Sequence, residues 1–287
     1  MTSCVSKAMT LFVSKDMTLH TAKREDVYVL FEWPGGWSRD ILDGGTFGEE
    51  LSASIKAKLK GKASLQLIRR PGRKGRELAG GYRCYLVWVR AKVVEQLELH
   101  CPENLKDLDL TGPGRNHATR VAHPLVLVCT HSKRDACCAV KGRPLAAQLE
   151  AEFHEQVWEA SHVGGHRFAP AVLLLPWGYS FGRLTLDQGR ALVHAARKGE
   201  YFLSANRGNG LLSPRAQVAE LAVAARLHSL SYGQLRAEDD GSVTHADGRS
   251  WHVELEQREV PGVVSSCGAE PKVGTVWVAT AVRETGR

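Results

Sequence analysis

Between residues 129 and 166 the chain gathers the side chains best suited to holding a soft metal. Cys129-Thr-His131-Ser-Lys-Arg134-Asp135-Ala-Cys137-Cys138 is followed, after a gap, by His162-Val-Gly-Gly-His166-Arg-Phe168. Thiolates and imidazoles together suit zinc, iron–sulfur or copper, and suit magnesium and calcium poorly. The four-residue spacing of His162 and His166 would place both rings on one helical face, as in a zinc protease. Two consecutive glycines would cost such a helix roughly 2 kcal/mol relative to alanine. No Glu follows His162 to act as that motif's general base. The segment therefore reads as a loop whose glycines let the backbone approach a bulky group. A Rieske centre needs a Cys and a His close together in each of two loops. Cys129-Thr-His131 supplies one such loop, but no histidine closely follows Cys137 or Cys138, and the Rieske reading fails there.

The elements around these residues read as α/β. Val27–Glu32 is an apolar strand ended by Pro34-Gly35-Gly36. Thr46-Phe-Gly-Glu49 has the form of a capping box, with Leu51, Ile55 and Leu59 four residues apart and Gly61 as a stop. Ser64–Ile68 and Tyr82–Val89 are expected strands, and Leu110–Thr119 a linker. The basic stretch Arg69–Arg76 between those strands reads as a solvated hairpin loop, because no aromatic platform accompanies its charges. A second α/β unit starts at His123. Pro124–Cys129 is a buried strand, a polar loop follows, and Pro144 opens a helix with Leu145, Leu149 and Phe153 on one face. Val157–Ala160 is a strand, and Ala171–Leu175 and Tyr179–Leu184 form a hairpin around Pro176-Trp177-Gly178. Thr185-Leu-Asp-Gln188 opens a helix running to about Lys198. Strands ending in Cys129 and Ala160 would deliver cysteines and histidines to one end of a sheet, where α/β proteins place their binding groups. Beyond Gly210, Ser213-Pro214 opens a further helix. Asp247-Gly248 marks a hairpin whose outgoing strand alternates Trp251, Val253 and Leu255 with His252, Glu254 and Glu256. Val276–Val282 closes the chain as a β-rich segment.

The expected fold class is thus α/β, or α+β overall. Four regions follow: an extension over 1–22, an α/β domain over 23–117, a second α/β domain over 118–209, and a helix with a small antiparallel appendage over 210–287. The extension carries an echo, Val5-Ser-Lys-Ala-Met-Thr-Leu11 returning as Val13-Ser-Lys-Asp-Met-Thr-Leu19, too short for a repeat architecture.

Cys-x8-Cys enclosing Thr-His and Arg-Asp, followed by His-x-Gly-Gly-His-x-Phe-Ala, resembles the sucrase/ferredoxin-like family. Phe31-Glu-Trp-Pro-Gly-Gly-Trp-Ser-Arg-Asp40 and Ser266-Cys-Gly268 extend the resemblance over about residues 25–283. It implies a thioredoxin-like ferredoxin domain over residues 118–209, consistent with the order strand, helix, strand, strand, strand, helix. It also implies a [2Fe-2S] cluster outside the Rieske class, held by Cys129, Cys138, His162 and His166. Cys137, adjacent and one residue short of the family spacing, is the rival thiolate. His131, Arg134 and Asp135 are candidates for supporting hydrogen bonds around the cluster. No carboxylate pair flanked by sugar-binding aromatics supports glycoside hydrolysis.

The expected function is one-electron transfer to a redox partner protein, with the chain a carrier rather than an enzyme by itself. Two other readings use the same residues: a zinc-binding interaction protein with a Cys2His2 site, and a thiol oxidoreductase using Cys137 or Cys138. The seven cysteines are odd in number and spread over 287 residues, unlike a secreted disulfide scaffold. No stretch is apolar enough for a membrane span and the first twenty residues lack a signal peptide's core, so a cytoplasmic protein is expected. A net charge of +7 selects no partner. Nucleic acid is not expected, and the resemblance allows a homodimer without making an interface legible.

Overall fold

The computed structural model describes residues 21–78 and 80–286; the repeated segment near the amino terminus lies outside them. The chain divides into two compact units. Among the described residues, one comprises Glu25–Val163 and Val172–Gly178, and the other comprises 21–24, Gly164–Ala171 and 179–286.

The first unit contains β1 (Val27–Glu32), α1 (Glu49–Leu59), β2 (Ser64–Arg69), β3 (Tyr82–Trp88), β4 (Val93–Leu99), β5 (Thr119–Val121), β6 (Leu125–Cys129), α2 (Ala136–Glu152), β7 (Val157–Ala160) and β8 (Ala171–Leu175). Its sheet runs β8-β6-β7-β2-β1-β3-β4-β5. β1 pairs with β2 in parallel and β6 with β7 in parallel. Parallel neighbours need a crossover connection, and α1 and α2 supply one each. The two β-α-β units meet through the antiparallel pair β2–β7, where Ile68 faces Ala160 and Arg69 faces Glu159. β6 is buried at every position, as expected for a strand covered on both faces. Ile55 and Leu59 of α1 pack into a core with Phe31, Leu67 and Leu86.

Local chemistry departs from the expected pattern in four places. Thr46 does not cap α1. Its hydroxyl accepts from the Ser38 backbone N–H at 3.0 Å and pairs with the Ser38 hydroxyl at 2.7 Å, and the helix begins after Gly48 without a side-chain cap. The helix after β6 begins at Ala136, not Pro144, because Asp135 caps it by accepting from Cys137 N at 2.9 Å; Pro144 lies inside the helix. Strands β4 and β5 were not anticipated: Glu95 and Glu98 interrupt the apolar run of β4, and β5 shares only Thr119 with the expected linker Leu110–Thr119. Glu95 is buried, and its carboxylate accepts from Gly114 N at 2.7 Å. Finally, the basic stretch is not simply a solvated loop. Arg69 is buried, paired with Glu159 at 2.9 Å and stacked over Trp37 at 4.2 Å, while Arg70 lies 3.5 Å over Trp158.

The second unit contains β9 (Tyr179–Gly182), α3 (Leu186–Arg197), β10 (Asn206–Asn209), α4 (Pro214–Ala224), β11 (Leu235–Ala237), β12 (Ser242–His245), β13 (Ser250–Val263) and β14 (Lys272–Gly286). β9 and β10 pair antiparallel, and β11-β12-β13-β14 form a separate antiparallel sheet. The expected turn at Asp247-Gly248 joins β12 to β13. Ala216, Ala219 and Val223 of α4 pack on Val243, Trp251 and Val253 of that sheet. Among the described residues no helix is long and apolar enough to cross a membrane.

The Thr185 capping box is complete. Its hydroxyl accepts from Gln188 N at 3.2 Å, and the Gln188 side chain accepts from Thr185 N at 3.0 Å. Thr185→Ala should therefore lower stability by about 1 kcal/mol, read as a reduced urea midpoint at unchanged slope; an unchanged midpoint would show that this cap contributes nothing.

Candidate functional site

The β6–α2–β7 connection folds the predicted residues of the first unit onto the carboxyl end of two strands. Cys129 is the last residue of β6, and in the parallel ladder it lies opposite Ala160, the last residue of β7. Thr130 N extends that ladder, donating to Ala160 O at 3.0 Å. His162, two residues past Ala160, is thereby delivered beside Cys129. From Cys129 the chain turns through Thr130–Asp135 and returns as α2, whose first turn carries Cys137 and Cys138. Gly142 permits the close return: a Cβ there would lie 2.1 Å from the Cys129 carbonyl oxygen. The eight-residue interval between Cys129 and Cys138 is thus the length of one tight strand-to-helix turn.

The outcome is a constellation of two buried sulfurs and a half-buried imidazole. Cys129 and Cys138 are both fully buried. The Cys138 S–H hydrogen-bonds the Cys129 sulfur, and this holds the Cys129 thiol well below its ordinary value despite burial; hydrogen bonds from the His162 ring and the His131 backbone N–H act in the same direction. The same bond, with burial and the negative charge of Cys129, pushes the Cys138 thiol up. The two opposite shifts share one cause, the contact between the sulfurs, which favours the thiolate at Cys129 and disfavours it at Cys138. Cys137, by contrast, is half-buried, and its backbone N–H is committed to Asp135.

The other predicted participants fall into separate places. His131 is buried with its ring turned toward the β1–α1 connection. Its Nε2 lies 2.8 Å from the Ser38 carbonyl, so Nε2 carries the proton, and its ring meets Trp37 edge-on at 5.7 Å. Burial lowers its pKa. Asp135 serves as the α2 cap, and Arg134 is exposed. His166 belongs to the second unit, where it opens the short 3-10 turn His166–Phe168 after the left-handed Gly165. The bulky group expected against these glycines is Arg207: a Cβ on Gly165 would meet its guanidinium at 2.0 Å. Sequence reading did not single out Arg207, whose only local signal is a charge within the polar run Asn206–Asn209.

Among the described residues no two cysteines form a disulfide. A mixed α/β sheet protein with thiols and an imidazole gathered at strand ends is the class defined by these observations. The chain belongs to the sucrase/ferredoxin-like family, whose profile matches residues 18–208. No curated protein and no solved structure shows a significant match.

Proposed function

We propose that this protein carries one [2Fe-2S] cluster on Cys129, Cys138, His162 and His166 and exchanges single electrons with a partner protein. The observation that supports this most is the convergence of Cys129, Cys138 and His162 at the ends of two neighbouring strands, in a chain of the sucrase/ferredoxin-like family. The donor chemistry fits: a thiolate already favoured at Cys129, a second thiol in contact with it, and an imidazole against both the strand end and the sulfur. When bound, the cluster would supply one-electron chemistry, and neutral imidazoles in place of two thiolates would raise its potential over that of an all-cysteine cluster. The chain's own groups would hold the site in order. The His131 backbone N–H donates to the Cys129 sulfur, an interaction of the kind that tunes sulfur-ligated iron. Asp135 anchors the α2 start and so fixes Cys138. His162 is only half-buried, so its side of the centre is the one a partner would approach.

A thiol oxidoreductase using Cys138 has less support, because that thiol is buried and its pKa is raised, the wrong direction for a nucleophile. Zinc accepts the same donors, and metal analysis separates the two. Protein purified without oxygen should be brown and contain two irons and two acid-labile sulfides per chain. Stoichiometric zinc without iron in such preparations would overturn the electron-transfer reading.

A further inference from the structure

Three arginines of the second unit surround one phenyl ring. The guanidinium carbons of Arg167 and Arg207 each lie 4.8 Å from the centre of Phe168, and that of Arg183 lies 5.6 Å away. Arg207 is 1% exposed. Burial, and then the like charge of Arg167, pushes its pKa down to about 9. Burial also lowers Arg167 and Arg183. Among the described residues none of the three pairs with a carboxylate. The partners of Arg207 are neutral oxygens: the Thr21 hydroxyl at 2.8 Å, the Thr21 carbonyl, and the Gly164 carbonyl at 3.4 Å. A desolvated cation without a counter-charge is costly, and adjacent ones compound the cost.

The fold nevertheless goes to some length to hold them there. Arg207 sits where the β9–β10 register shifts, between Asn206 and Gly208, the type of irregularity that re-aims a side chain. Gly165 leaves the space its guanidinium occupies. A cavity of about 600 Å³ opens on the cluster, lined among others by His166, Arg167, Phe168 and Arg207, with Gln257 from β13 and Trp277 from β14. That volume lies in the range of small-molecule sites and is several times what one inorganic phosphate fills.

We propose that this cavity binds an organic phosphate, with its oxyanion on Arg167 and Arg207 and its carbon framework against Phe168 and Trp277. Guanidinium forks match phosphate oxygens in pairs, and an anion supplies the counter-charge that the described residues do not. The inference does not depend on the cluster, although His166 lines the cavity. The test therefore reads binding and leaves His166 intact.

Titration calorimetry on the full chain would use adenosine monophosphate, flavin mononucleotide and ribose 5-phosphate. Controls would be adenosine, riboflavin, ribose and inorganic phosphate. At least one organic phosphate should bind saturably, about tenfold or more tighter than both its dephosphorylated counterpart and inorganic phosphate. Arg167→Gln should weaken that binding about tenfold or more. Trp277→Ala, on a strand remote in sequence from the arginines, should weaken the organic phosphate but leave inorganic phosphate unchanged. Saturable binding by none of the three phosphates would overturn the proposal. So would equal affinity for a phosphate and its dephosphorylated form, for inorganic and organic phosphate, or for the parent and both variants with circular dichroism unchanged.

Discussion

Cys138→Ser should strip the proposed [2Fe-2S] cluster, while Cys137→Ser should leave its visible spectrum close to the parent's. The two cysteines are neighbours on the first turn of α2, yet only Cys138 is fully buried and in hydrogen-bond contact with Cys129. Losing a ligand should reduce iron retention by well over about tenfold, since removing an outer hydrogen-bond partner alone costs that much. The adjacent thiol complicates the experiment, because a shift of α2 by part of a turn could offer Cys137 as a substitute. The double variant controls for this. Iron and sulfide retained by Cys138→Ser but lost from the double variant would reveal rescue, and iron lost only from Cys137→Ser would move the proposed ligand by one residue.

Stability should fall as pH rises from about 4.5 to about 7, and Glu220→Gln should abolish that part of the decline. Glu220, on α4, is fully buried, and burial pushes its carboxyl from 4.5 up to about 7, against the opposing hydrogen bond from the Tyr179 hydroxyl. Among the described residues its Oε2 has no hydrogen-bond partner. The unfolded chain releases this proton near 4.5 and the folded chain near 7. The contribution is therefore complete below the first value and lost as pH climbs through the second. The difference between the two values corresponds to roughly 3 kcal/mol. Tyr179, Tyr201 and Tyr232 pack around one another beside the carboxyl and have raised pKa values, so they stay neutral throughout this window. Glutamine keeps an acceptor for Tyr179 and carries no charge. Urea denaturation from pH 4 to pH 8 should show a gap between variant and parent that widens with pH; parallel curves would sink the assignment.

The alternation and apolar runs made β1, β2, β6, β7 and the β12–β13 hairpin legible, since each has a buried face that dictates its residues. Helix starts were less so. A Thr-x-x-Glu pattern specifies a cap only if nothing competes for the hydroxyl, and Ser38 takes Thr46 away from α1, whereas Thr185 has no such rival. Pro144 is a tolerable first-turn residue, but Asp135, two residues before Cys137, supplies a stronger start, and the result moves both cysteines from a loop onto a helix. Strand β4 escaped notice because the burial of Glu95 is offset by a backbone donor from a distant loop, a contact no local window contains. The same applies to the site. Cysteines and histidines with clear spacing stand out along the chain, while Arg207 acquires meaning only through its burial beside Phe168 and Arg167.

The division of the chain also constrains its synthesis. The first unit is made from Glu25–Val163 and completed by Val172–Gly178, with a short excursion into the other unit between them. β8 is the last strand this unit receives, and it covers one side of β6, Val128 lying opposite Val172 and Leu125 opposite Leu175. On the ribosome, β6 emerges some forty residues ahead of that cover. Until then Leu125-Val-Leu-Val-Cys129 presents a bare, wholly apolar edge able to recruit another nascent chain. Any truncation that stops short of Leu175 makes that temporary condition permanent.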